Sequence, residues 1–336
     1  MRRVTVSAQD VADLAGVSRA AVSRTFTPGA SVSAETRAKV HAAADRLGYH
    51  VNHLARGLIR SETGLVALIA SEINTPYRAK LLAALTMRLQ EAGKVALLIN
   101  TDRSDDSVEQ ALRRAISYRT DAAVVLSGMP PLSLAETCLQ YGMRLVLINR
   151  DELRPGSLRI SLDEQGAGRQ AFSVLVAAGC RRLALATSKA GTPSLTGREA
   201  GFLAAARDAG LQPVVEARGL TNYQTGLDIG TNLMTRTDRP DGIFCTTDQI
   251  ACGVLDAVRH RFNVEVPRQL SLIGFDDIAQ AEWESYNLTT FRQPVEEIAD
   301  EAVRWLATDA QNPVGTVCPH AKLIWRGTVR QGGKPA

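Results

Sequence analysis

Residues 7–26 read SAQDVADLAGVSRAAVSRTF, and two short helices joined at Gly16 can be read directly from them. Ser7 followed by Asp10 is the pattern in which a hydroxyl accepts an amide hydrogen bond while an acid side chain reaches back, so a helix is expected to begin there. Ala8, Val11, Ala12 and Ala15 fall at i, i+3, i+4 and i+7, one narrow apolar face, and Gly16 stands where a helix can stop on a left-handed residue. Ser18 is a second N-cap candidate. From Arg19 to Phe26 the pattern buries Val22 and leaves Arg19, Ala20, Ser23 and Arg24 outward. Two helices across a tight glycine turn make a helix-turn-helix. In such a motif the first residues of the second helix face base edges in the major groove. Arg19 is therefore expected to read a guanine through O6 and N7, and Ala20 to touch a thymine methyl. Ser23 and Arg24 are placed for phosphates, and Ser18 at the helix start belongs to the same DNA-facing set. Pro28-Gly29 then breaks the chain. A third helix is expected from Ser33-Ala34-Glu35 to Leu47, with Gly48 as its stop and Val40, Ala43, Ala44 and Leu47 as its packing face.

Charge supports this reading. Residues 1–60 hold nine Lys/Arg against four Asp/Glu, whereas the rest of the 336-residue chain holds 30 against 31. The positive excess of a phosphate-binding footprint is thus confined to the head, and the near-neutral remainder argues against a second nucleic-acid surface. Met1-Arg2-Arg3-Val4-Thr5 runs into polar residues rather than an apolar core, so no secretion signal is expected, and no apolar run reaches membrane-spanning length. Five scattered cysteines, with no Cys-x-x-Cys pair, read as reduced, buried thiols of a cytoplasmic protein rather than a metal site or a disulfide framework.

From Gly64 onward short Val/Leu/Ile runs alternate with amphipathic stretches. Strands are predicted at Leu65 to Ala70, Val95 to Asn100, Ala122 to Ser127, Leu145 to Asn149, Leu183 to Thr187, Gly242 to Cys245 and Ser271 to Phe275. Helices are predicted at Lys80 to Ala92, Val108 to Tyr118, Gly166 to Ala178, Arg198 to Ala209, Asp248 to Arg261 and Val295 to Leu306. Continuous apolar strands separated by helices mean α/β architecture with parallel sheets covered on both faces. Open parallel sheets bind ligands at the carboxyl ends of their strands. Those ends are polar here, and none suggests catalysis. No glycine-rich phosphate loop follows the first strand, and His260 and His320, the only histidines outside the head region, have no partner in sequence that suggests a triad or a metal cluster. An enzyme is not expected, and no cofactor or metal is called for.

The residues Asp10-Val11-Ala12, Ala15-Gly16-Val17-Ser18, Val22-Ser23-Arg24, Val32-Ser33, Thr36-Arg37 and Leu47-Gly48-Tyr49 resemble, in order and spacing, the DNA-binding head of the lactose-repressor (LacI/GalR) family of bacterial transcription regulators. Residues 52–58, Asn52 to Leu58, are similar to that family's hinge helix. The resemblance implies that Asn52, His53 and Ala55 contact DNA and that Leu58 is the apolar wedge entering the minor groove. Val51 stands where the family usually has Pro, and Gly57 weakens a helix by roughly 1 kcal/mol relative to Ala. From Gly64 to about Val329 the chain resembles the family's two-lobed, periplasmic-binding-protein-like (type I) sensor. The resemblance is carried by Asn74 to Tyr77, Leu147 to Arg150, Asp163 to Ala167, Arg198 to Phe202, Thr247 to Gln249 and Gly274 to Asp277. It implies an effector cleft with contacts from Tyr77, Asn149, Arg150, Arg198, Thr247 and Asp276. The family commonly has Asn at the position of Thr247, and its Asp-Asn pair reads Asp163-Glu164 here.

The expected organisation is a head at residues 1–50, a hinge helix and linker at 51–61, a two-lobed effector-binding and dimerisation domain at 62–330 and a disordered tail at 331–336. The expected function is a sequence-specific DNA-binding regulator, read as a repressor. It would bind a palindromic operator as a homodimer and respond to a small effector, a sugar or, given Arg150 with Arg198, a sugar acid. Arg198 and Asp276 are expected on separate strand-end loops, bridged by that effector. A regulator answering to a nucleobase or other non-sugar metabolite, a solute-binding protein and a sugar- or nucleotide-modifying enzyme are the competing readings. A solute-binding protein does not account for the basic head, and the enzyme lacks any phosphate loop, metal cluster or nucleophile. No membrane partner is expected. The sequence ends soon after Trp325-Arg326-Gly327 with no heptad repeat, which makes a dimer the expected assembly.

Overall fold

The computed structural model describes residues 6–27, 29–51, 62–102, 104–150, 153–154, 156–308 and 315–330. These fall into two compact units, one before and one after the boundary at Thr63 and Gly64. The segment carrying Asn52, His53, Ala55 and Leu58, and the tail at 331–336, lie outside the described residues.

The head is three helices: α1 (Ala8–Ala15), α2 (Arg19–Thr25) and α3 (Ala34–Leu47). Ser7 and Asp10 form the reciprocal cap at the start of α1, Ser18 accepts from the Ala21 amide, and Ser33 accepts from the Thr36 amide. Gly16 ends α1 at φ 64°, and the Val17 amide turns back to the Ala12 carbonyl, a close that a side chain at this φ would strain. Val11, Ala12, Val22, Val40, Ala43 and Ala44 bury together as the core.

The second unit has two lobes. In the first, β1 (Leu65–Ala70), β2 (Val95–Asn100), β3 (Ala122–Val125), β4 (Arg144–Ile148), β5 (Ser157–Ile160) and β11 (Gly315–Val317) form a wholly parallel sheet in the order β11-β5-β4-β3-β1-β2. One face is covered by α4 (Pro76–Glu91) and α11 (Val295–Ala307), the other by α5 (Asp105–Ser117) and α6 (Leu132–Gln140). In the second lobe, β6 (Leu183–Ser188), β7 (Val214–Arg218), β8 (Gly242–Cys245), β9 (Ser271–Asp276), β10 (Thr290–Arg292) and β12 (Lys322–Ile324) follow the order β12-β10-β9-β8-β6-β7, with only β12 antiparallel. Helices α7 (Glu164–Ala177) and α8 (Pro193–Asp208) cover one face, and α9 (Tyr223–Thr235) with α10 (Asp248–Asp256) the other; α10 runs on into a π-helical turn at Ala257–Arg261.

The chain passes between the lobes three times: after β5, after β10 and after β11. All seven strands expected from the sequence are present. Strands β5, β7, β10, β11 and β12 and helices α6 and α9 are additional. Cys138, Cys180, Cys245 and Cys252 are buried as expected, but Cys318 is exposed.

Candidate functional site

On the head, Ser18, Arg19, Ala20, Ser23 and Arg24 are all exposed, while Val22 between them is fully buried against α1 and α3. The helical period alone produces this division, since positions 19, 20, 23 and 24 share the side of α2 opposite Val22.

In the sensor, one cleft of about 110 Å³ is lined by Tyr77, Asn149 and Arg150 from the first lobe and by Arg198, Thr247 and Asp276 from the second. All six expected effector contacts are therefore brought to one place. Tyr77 is the second residue of α4, and Pro76 at the helix start fixes its approach. Its hydroxyl is enclosed and has no hydrogen-bond partner among the described residues, and burial raises its pKa. Asn149 follows β4 in a left-handed conformation, φ 54°, and its amide donates to the Ile160 carbonyl at 2.8 Å. The Arg150 guanidinium lies along its own lobe, donating to the carbonyls of Ile148 at 3.2 Å and Gly128 at 3.3 Å. Thr247 caps α10 by accepting from the Ile250 amide.

Arg198 departs from expectation. It is in the second turn of α8, not at a helix start or on a loop, because the helix begins at Pro193. It is buried in the same lobe as Asp276, with Nη1 3.8 Å from Oδ1 of that carboxylate. A ligand that joins these two groups would thus stay within one lobe, and reaching the other lobe needs contacts from Tyr77, Asn149 or Arg150 as well. Arg198 is already paired: Nε donates to Glu164 Oε2 at 2.6 Å, Nη2 to Oε1 at 3.2 Å, and Nη1 to the Thr246 carbonyl at 2.7 Å. Its guanidinium also lies over the Phe275 ring, 3.5 Å from the centroid. Burial disfavours its charge, but the carboxylates of Glu164 and Asp276 outweigh that and raise its pKa.

Asp276 ends β9 at φ 121° and accepts from Gln293 Nε2 at 2.6 Å. Burial pushes its carboxyl up to about 6, against the pull of Arg198 and Gln293. Behind it Asp248, wholly buried, accepts from Thr290 Oγ1 at 2.6 Å and the Ile278 amide at 3.0 Å, and burial with the nearby Asp276 charge pushes it up to about 7.

Three features escaped the sequence reading. Gln293 is buried beside the cleft, and its Oε1 has no partner among the described residues. Glu164 engages Arg198. Close helix packing sets that pair: a Cβ at Gly197 would meet Glu164 Cβ at 2.8 Å, and one at Gly201 the Gln165 carbonyl at 2.0 Å. The Gly197-x-x-x-Gly201 spacing was the available signal for that contact. Among the described residues no group of three or more His, Cys, Asp or Glu is arranged to hold a metal ion, and no helix is long and apolar enough to cross a membrane.

Residues 7–52 match the family description "Bacterial regulatory proteins, lacI family", and residues 172–329 match "Periplasmic binding protein-like domain". The chain is 28% identical over 308 residues to the HTH-type transcriptional regulator GalR of Escherichia coli (strain K12), covering 90% of this chain and 89% of that protein. It is 28% identical over 334 residues to the HTH-type transcriptional repressor PurR of Yersinia pestis bv. Antiqua, covering 96% and 97%. Its fold superposes on the lac repressor dimer bound to operator and the anti-inducer ONPF with a TM-score of 0.86 at 23% identity, covering 96% of this chain and 99% of that one.

Proposed function

The chain belongs to the lacI family of bacterial regulatory proteins, a DNA-binding transcription regulator and not an enzyme, and from that premise we propose that it is a cytoplasmic repressor whose operator binding is set by a sugar or sugar acid held between its lobes. The observation that carries the effector reading is the convergence of Tyr77, Asn149, Arg150, Arg198, Thr247 and Asp276 on one cleft. Aromatic, amide, guanidinium and carboxylate groups at such a spacing suit a ring bearing several hydroxyls.

On the DNA side Arg19 and Ala20 read bases, while Ser18, Ser23 and Arg24 meet phosphates. Asn52, His53, Ala55 and Leu58 complete the operator contact, with Leu58 as the wedge. A homodimer presents two such heads to a palindromic site. Exposed apolar side chains on both lobes support it: Met87 on α4 with Val95 and Leu98 on the edge strand β2, and Leu220, Tyr223 and Trp283 on the second lobe. Edge strands this apolar invite a partner.

Selection from a random DNA library should yield a palindromic site bound by the purified protein, and one sugar or sugar acid should change that affinity through the cleft. If Asp276→Ala and Gln293→Ala leave an active ligand's effect intact, the effector site lies elsewhere.

A further inference from the structure

Glu164 is not among the residues lining the cleft that holds Tyr77 and Asp276; it lines a neighbouring hollow that shares Asn149 and Ser194 with that cleft. From there both of its oxygens take N–H groups of Arg198, at 2.6 and 3.2 Å, in a two-pronged pair only 7% and 3% exposed. A guanidinium has five N–H donors, and a ligand carboxylate would need two adjacent ones in parallel. Here Nε and one N–H of Nη2 are held by Glu164, and one N–H of Nη1 by the Thr246 carbonyl. The stacking on Phe275 holds the plane in place, and the guanidinium's other paired edge, Nη1 with Nη2, includes the nitrogen that the Asp276 carboxylate approaches. With Asp276 3.8 Å away, two carboxylates face one guanidinium. The other charged groups of the cleft are Glu72, Arg78 and Arg150, and Arg150 is drawn toward the carbonyls of its own lobe.

We infer that Glu164 is a specificity-determining positioning residue: it occupies the Nε–Nη2 edge of Arg198 and, with Asp276 beside Nη1, meets that guanidinium's charge with two carboxylates, so that the cleft disfavours anionic groups and is left to an effector held through uncharged hydroxyls. The complementary acceptors are present, since the Asp276 carboxylate and the buried, unpartnered Gln293 Oε1 both call for donors. The inference rests on the reading of this cleft as the effector site, and it narrows that reading from sugar or sugar acid to neutral sugar.

Two measurements test it. Melting of the wild-type protein is followed against glucose, galactose and ribose and against sodium gluconate, galacturonate and ribonate at constant ionic strength. A neutral sugar should bind with its acid weaker by about a hundredfold or more, because like charges at close range are strongly unfavourable. In Glu164→Gln, which keeps the volume and one hydrogen bond, that ratio should shrink to within about tenfold, and Glu164→Asp should restore it. A wild-type protein that binds an acid as well as its parent sugar overturns the inference, whether the acid sits at Arg198 or, as loss in Arg150→Met would reveal, across the cleft.

The second measurement needs no known effector. Sodium formate, exchanged for chloride at fixed ionic strength, should raise the melting temperature of Glu164→Ala by several degrees while leaving wild type and Glu164→Ala/Arg198→Met unmoved. Formate acting equally on wild type, or not at all on Glu164→Ala, overturns the inference. If Glu164→Ala does not fold, Glu164→Gln takes its place in the same titration. A formate contrast without any sugar binding would leave the occupied fork standing and sink only the sugar reading.

Discussion

Asp276 joins burial, charge and a strained backbone in one residue. On the proposal that it accepts from a hydroxyl-bearing effector, binding would stabilise the charged state and weaken as the carboxyl is protonated. With the carboxyl at about 6 in the unliganded protein, affinity should be level above neutrality and fall by about tenfold for each pH unit below the midpoint. Asp248, Glu164, Arg198 and Gln293 surround it, so Asp276→Asn is the control: calorimetric titration should show low, pH-independent binding. A pH profile unchanged by that substitution would move the titration to another group. Burial has a second consequence in the ligand-free protein. Because the folded state holds the protons of Asp276 and Asp248 more tightly than the unfolded chain, their contribution to stability is complete below the ordinary value of 3.8 and is lost as pH rises through 6 and 7. On the head the two arginines should separate by role. Arg19→Ala is expected to cost about 1 to 3 kcal/mol on the operator and relax preference at one position per half-site, whereas Arg24→Ala weakens all sequences alike. A uniform loss for Arg19→Ala across single-base operator variants would reassign it to phosphate.

Helices α7 and α8 are the elements on which the cleft depends. Gly168 faces the Arg198 carbonyl, which a Cβ would meet at 2.2 Å, and Gly201 faces the Gln165 carbonyl at 2.0 Å. These are backbone contacts that no rotamer change relieves. Gly201→Ala should lower stability by roughly 3 kcal/mol, at the upper end of the usual cost of overpacking, and weaken effector binding by parting Glu164 from Arg198. Urea unfolding with a parallel ligand titration checks both; an unchanged midpoint would mean the helices separate without cost. This pair also marks where sequence reading stopped. Caps and periodicity located α1, α2 and α3 nearly to the residue, because Ser7, Ser18, Gly16 and Gly48 act locally. Apolar periodicity places the starts of α4 and α8 four or five residues late: Pro76 and Pro193 signal the true starts, but the first turns carry little apolar pattern. Three-residue strands such as β10 have too few positions to show a period, and α9 is masked by Gly226 and Gly230. The six cleft residues were legible through family resemblance; Glu164 as the partner of Arg198 was not, since that partnership exists only once two helices touch.

The whole chain behaves as two units with separate charge and separate cores. A fragment spanning residues 62–330 should therefore fold and bind ligand yet lose operator binding altogether, as read by gel shift and by melting with ligand. Operator affinity retained by that fragment would contradict the modular division. The lobes themselves could not be delimited from sequence order, because the chain returns to the first after building most of the second. That threading bears on synthesis. Strand β11, residues 315–317, pairs with β5, residues 157–160, so the first sheet cannot gain its last strand until residue 317 has emerged. Among the described residues, the head's core is drawn entirely from positions up to Tyr49. At ordinary translation speeds it precedes the finished sensor by about 15 to 50 seconds. A nascent chain thus carries a DNA-reading module before it has a completed sensor to govern it, and a chain stalled or truncated within the sensor would be a regulator with no means of being switched.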